Sequence, residues 1–79
     1  MKAITHAIKC MLDNPTTDTQ NVTYDDTIVT VINTKDGKHY VSYNTPNLAT
    51  ATFGFTSYRI EHNTVSMYWD GWNVGRLTF

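Results

Sequence analysis

Apolar residues in the first dozen positions fall at Ile4, Ala7, Ile8, Met11 and Leu12, a helical spacing that leaves Lys2, Thr5 and Lys9 on the other side. The pattern predicts an amphipathic helix over about 3–13. Asn14 precedes Pro15, and the residue before a proline is pushed away from the α region, so the helix stops there and 14–20 reads as a loop. From Val22 onward the alternation is that of strands, rich in threonine, valine, isoleucine and tyrosine.

Turn chemistry sets the register of these strands. With Lys35-Asp36-Gly37 as a three-residue loop, Val31 faces Val41 and Val29 faces Tyr43. A two-residue turn at Asp25-Asp26 places Val22 across from Val29. In the C-terminal third, Asp70-Gly71 reads as a type I′ turn that pairs Trp69 with Trp72, Met67 with Val74 and Val65 with Arg76. A turn at His62-Asn63 pairs Ile60 with Val65 and Tyr58 with Met67. One apolar face follows: Tyr58, Ile60, Val65, Met67, Trp69, Trp72 and Val74, with both tryptophans expected beneath the helix.

The extended segments are 21–24, 27–34, 38–44, 50–61, 64–69 and 72–79, with 45–49 as a loop leading into a strand at about Thr50. The expected architecture is a single α+β domain, 1–79, with the N-terminal helix packed on an antiparallel meander of about five strands. The opposite sheet face then carries Phe55, Ser57, Arg59, Glu61, Ser66, Tyr68, Leu77 and Phe79, joined by Tyr40 from the other hairpin.

Composition narrows the function. Six Lys plus Arg against seven Asp plus Glu, scattered along the chain, give no cationic cluster of the kind that grips nucleic-acid backbones. The single cysteine, Cys10, forms no internal disulfide, and the chain shows neither a targeting signal nor an apolar run of membrane-spanning length. These features point to the cytoplasm.

No pattern for binding a cofactor or metal stands out. His6 and Cys10 sit four apart on the helix, but a structural zinc site wants four ligands, and His39 and His62 lie beside separate turns. An exposed His6 and a semi-buried Cys10 account for them. Cys10 has no nearby cation cluster to lower its pKa, which weighs against a nucleophile. The aspartates sit where turns favour them, without the calcium-loop pattern. Neither phosphate-loop glycine spacing occurs.

The expected function is therefore non-enzymatic. The chain reads as a small protein-binding module, a stoichiometric inhibitor or adaptor that occludes a surface of a larger protein, of the sort phages and mobile elements encode. Phe55, Arg59, Tyr68, Phe79 and Tyr40 are the expected anchors, since aromatic and arginine side chains dominate interface energetics. Single-stranded nucleic-acid binding by the same aromatic face is the alternative, with a small metal-dependent or cysteine hydrolase ranking last. So small a core, with apolar residues on both sheet faces, is also compatible with a homodimer.

Overall fold

In the computed structural model, which describes residues 1–47 and 50–79, helix α1 spans Ala3–Asp13 and buries Ile4, Ile8 and Leu12. Thr5, expected on the polar side, is fully buried, because its Oγ1 lies 2.8 Å from the carbonyl oxygen of His62 and 3.0 Å from that of Lys2. The Lys2 amide donates to the same His62 carbonyl, so the start of the helix is pinned to a strand turn. At its other end Asn14 is extended, as a residue before proline must be.

Seven strands follow among the described residues: β1 (Gln20–Tyr24), β2 (Thr27–Asn33), β3 (His39–Asn44), β4 (Ala51–Phe55), β5 (Ser57–Ile60), β6 (Thr64–Trp69) and β7 (Trp72–Thr78). They form two antiparallel sheets, ordered β1-β2-β3-β4 and β5-β6-β7. The α+β class with its N-terminal helix is as expected, while the meander is divided in two. Part of the loop expected before β4, Leu48 and Ala49, lies outside the described residues.

The turn-based registers hold at most positions. Val22 faces Val29, Val31 faces Val41, Val29 faces Tyr43, Tyr58 faces Met67, Ile60 faces Val65 and Trp69 faces Trp72. Gly37 and the pair Asp70-Gly71 take the positive φ angles their turns require.

Two one-residue irregularities overturn the rest. The expected strand 50–61 breaks at Thr56, whose amide and Oγ1 both bond to the Tyr68 carbonyl as the chain leaves β3 and joins β6. Side chains 53 and 55 point inward before the break, and 58 and 60 point inward after it. The alternation is thus reversed at Thr56, and Phe55 enters the core instead of the outer face. The second irregularity is a bulge in β7, where Tyr68 faces Asn73 but Met67 faces Gly75, leaving Val74 as the extra residue. Val65 consequently faces Leu77 instead of Arg76, and Leu77 is buried. The Asn73 side-chain amide fills the bulge by donating to the carbonyls of Met67 and Gly75.

One core joins both sheets and the helix: Ile4, Ile8, Leu12, Val29, Val31, Val41, Phe55, Val65, Met67 and Leu77. The helix is seated by polar contacts as well. The buried Asn33 amide donates to the carbonyls of Met11 and Asn14, both at 2.9 Å, and Gln20 Nε2 donates to Met11 O at 2.8 Å. These bonds satisfy carbonyls that a helix C-terminus leaves without partners. Asn33→Ala is expected to lower stability by about 2 kcal/mol, measured by urea unfolding, because helix carbonyls and His39 lose their buried partner together.

Candidate functional site

Apolar side chains at the start of β7 and at its bulge are exposed to solvent. Trp72 is 78% exposed and Val74 45% exposed, the former the most exposed large hydrophobic side chain in the described residues. Trp69 and Trp72 share the inward direction of Val65 and Met67, as the register implies. They extend past the end of the core, however, and the helix does not cover Trp72. Lys38, from the turn between β2 and β3, places its ammonium 5.4 Å from the centre of the Trp69 ring and 3.5 Å from Asp36. The two hairpin ends thus meet there, with Trp72 and Val74 exposed on one of them and Asp36, Lys38 and Asp70 supplying polar groups.

Rigidity accompanies exposure at this place. Asp70 and Gly71 adopt φ angles of 48° and 86°, and the Asp70 amide donates to Thr56 Oγ1 at 3.0 Å. On the other side of Trp72, Asn73 closes the bulge. The tryptophan therefore projects from a backbone fixed at both ends.

The side chains expected to act as anchors are not assembled into one patch. Phe55 is fully buried, stacked against His39 at 5.4 Å and edge-on to Tyr58. Phe79 is half-buried against the core, edge-on to Tyr24 at 5.6 Å and tilted against Tyr43 at 6.0 Å. Their expected outward orientation is corrected by the same two irregularities. Arg59 is exposed on the outer face of the second sheet, in an ion pair of 3.1 Å with Glu61. Tyr68 is half-buried on that strand system. Tyr40 stands on the outer face of the first sheet, its ring lying over Gly54, which has no side chain to displace it.

Trp72 and Val74 were legible only in one detail. An isolated glycine inside a strand pattern marks a bulge or a close approach, and Gly75 provides both, with the Phe53 ring packed where its side chain would be.

A polar cluster at the helix C-terminus completes the titratable groups. Because the Asn33 amide nitrogen donates to two helix carbonyls, its Oδ1 is the acceptor and His39 Nδ1, 2.8 Å away, is the donor. Neutral His39 then keeps its free lone pair on Nε2. Burial holds the His39 pKa below its ordinary 6.5, partly offset by the Asp13 carboxylate. Burial, followed by its hydrogen bond to Asp13, pushes the Tyr58 hydroxyl up to about 12. Lys9 and Tyr58 hydrogen-bond Asp13 and hold its carboxyl below the usual range. Cys10 is exposed, with its Sγ 3.6 Å from His6 Nε2. Among the described residues no three His, Cys, Asp or Glu side chains are grouped to hold a metal ion. No described helix is long and apolar enough to cross a membrane.

Comparisons with protein-family models, with curated proteins and with solved structures found no match.

Two measurements check this geometry. Phe55→Ala is expected to cost about 4 kcal/mol, whereas Trp72→Ala stays within about 0.5 kcal/mol of the parent chain in urea unfolding. The His39 shift also has a defined sign. Its folded-state pKa lies below the unfolded value, so the unfolded chain binds the proton more readily. Stability should be level above about pH 6.5 and fall as the pH drops below it toward the folded-state pKa. His39→Gln is expected to remove that slope just below about pH 6.5, a window separate from the more acidic one of Asp13.

Proposed function

We propose that the chain is a non-enzymatic protein-binding module that acts in the cytoplasm by covering a surface of a larger protein, as an inhibitor or adaptor. The observation that supports this is Trp72, exposed on a backbone held by a type I′ turn and a filled bulge. Tryptophan is among the residues most enriched at the energetic centres of interfaces, and a pre-fixed side chain loses little entropy on docking. Val74 would extend the apolar contact, and Asp36, Lys38 and Asp70 would form its polar rim.

The anchor in this reading is Trp72, and the residues expected from the sequence take secondary places. Phe55 and Phe79 serve the core, and Arg59 is already paired with Glu61. A nucleic-acid strand is less well served, since Lys38 beside the tryptophans is itself next to Asp36.

Affinity capture from the cytoplasm of the source cell, followed by measurement with the purified partner, tests the assignment. Trp72→Ala should weaken binding by about thirty-fold, corresponding to roughly 2 kcal/mol, while Arg59→Ala changes it by less than about three-fold. A partner that binds the folded Trp72→Ala variant at full affinity would show that another surface is used.

A further inference from the structure

A second surface lies about 20 Å from Trp72, at the other end of β7, where Phe79 touches Tyr24. Strand β1 is the edge of its sheet among the described residues. Its two-residue turn at Asp25-Asp26 makes Tyr24 and Thr27 a mutually bonded pair, and bonded pairs alternate along an antiparallel ladder. Tyr24, Val22 and Gln20 are thereby bonded to β2, and Asn21 and Thr23 turn their N–H and C=O groups to the open edge. No other main-chain bond among the described residues reaches them.

Beside that edge, between β1 and the first half of α1, runs an apolar groove of about 400 Å³ lined by Ala3, Ile4, Ala7, Val22 and Tyr24. The two alanines leave the space, because a larger side chain at either would fill it. Lys2, at its border, is held by the Phe79 carbonyl oxygen at 2.8 Å. Charge at the ends of the strand has one sign. Exposed Asp18 precedes β1, and exposed Asp25 and Asp26 follow it, while the strand itself, Gln-Asn-Val-Thr-Tyr, is uncharged.

We infer that the free edge of β1 and its groove receive an extended segment of a partner protein, apolar at alternate positions and carrying Lys or Arg at both ends. The added strand would bond to Asn21 and Thr23, place its alternate side chains in the groove, and set its cations against Asp18 at one end and Asp25 and Asp26 at the other. A second copy of this chain fits worse. Antiparallel pairing of two β1 strands about Val22 would place Asp26 of each copy against Asp18 of the other. The inference rests on the reading of the chain as a protein-binding module but uses a surface separate from Trp72.

The probe is the acetylated and amidated peptide Lys-Val-Thr-Val-Thr-Val-Lys, titrated into the isotopically labelled protein at low salt and followed by amide resonances. At peptide concentrations up to about 1 mM, the amides of Asn21 and Thr23 should shift. The same peptide with Glu at both ends should bind at least about ten-fold more weakly. Thr23→Pro removes an edge donor without touching the β1–β2 ladder, and Ala7→Leu fills the groove. Each should weaken the Lys-ended peptide by at least about ten-fold, and Trp72→Ala should leave it unchanged. Absence of shifts at Asn21 and Thr23, equal affinity for the Glu-ended peptide, or unaltered binding to folded Ala7→Leu would overturn the inference. So would self-association of the free chain that Thr23→Pro abolishes. Peptide binding that persists while Trp72→Ala leaves the natural partner's affinity intact would sink the Trp72 assignment alone.

Discussion

The carbonyl oxygen of Tyr68 holds the two sheets in their relation to each other. It accepts from both the amide and the hydroxyl of Thr56, and that hydroxyl in turn accepts from the Asp70 amide. Through these bonds a single residue lets the chain stop pairing with β3 and begin pairing with β6. The crossing also reverses which side chains face inward. Phe55 and Ile60 are five positions apart, an odd step, so a regular strand would send one inside and the other out. With the reversal, Phe55 is fully buried and Ile60 packs on the same core, and burial of a side chain such as Phe55 stabilises by roughly 2–3 kcal/mol. For a chain that has so few large side chains to bury, losing one to the wrong face would be a sizeable share of its stability.

The helix depends on a second polar junction, at its C-terminal end. Hydrophobic contact by Ile4, Ile8 and Leu12 would allow an eleven-residue helix to slide or rotate on the sheet. Asn33 restrains that freedom by bonding two helix carbonyls with its amide nitrogen and His39 with its oxygen. His39 is wedged against Phe55 and Tyr58, and Tyr58 reaches back to Asp13 on the helix. Helix, first sheet and second sheet therefore meet in one hydrogen-bonded and aromatic cluster. At the other end, His62 accepts from Lys2 and Thr5 and fixes the remaining degree of freedom.

What could be read in the sequence was whatever local chemistry decides. The helix and its stop followed from spacing and Pro15, and the hairpin registers followed from Asp25-Asp26, Gly37 and Asp70-Gly71. The parity changes were not local. Thr56 looks like any strand threonine, and its role appears only when Tyr68 is brought beside it by the folded chain. The bulge at Val74 had a sign in Gly75, yet a strictly alternating β7 paired equally well with β6 on paper. Those two residues decided where Phe55, Leu77 and Phe79 went, and so emptied the expected aromatic face. The tryptophans kept their expected pairing, yet Trp72 lies exposed beyond the core, where pattern alone had placed it beneath the helix. Thr5 shows the same limit, since a hydroxyl on the polar side becomes buried once a distant carbonyl receives it.

The surfaces that remain differ in how they treat a second copy and a foreign partner. The outer face of the first sheet exposes Ile28, Ile32 and Tyr40, and Tyr40 is partly spent covering Gly54. The Asn21–Thr30 and Ser42–Thr52 side-chain bonds knit the rest of that face to itself, leaving fewer free donors and acceptors for a partner. Strand edges are a different matter, because an open edge invites pairing with any extended chain, including its own kind. Carboxylates at both ends of β1 make self-pairing repulsive without adding any charge within the strand. A charge placed inside the strand would have closed the edge to every partner, whereas charge at its ends discriminates by sign. Trp72 is exposed for a different reason: it lies on the same face as Val65 and Met67 but past the end of the core, where nothing covers it among the described residues. Exposed Trp72 at one end of β7 and the carboxylates of Asp18, Asp25 and Asp26 beside the open edge of β1 are thus the two places where the surface departs most from a uniformly polar one.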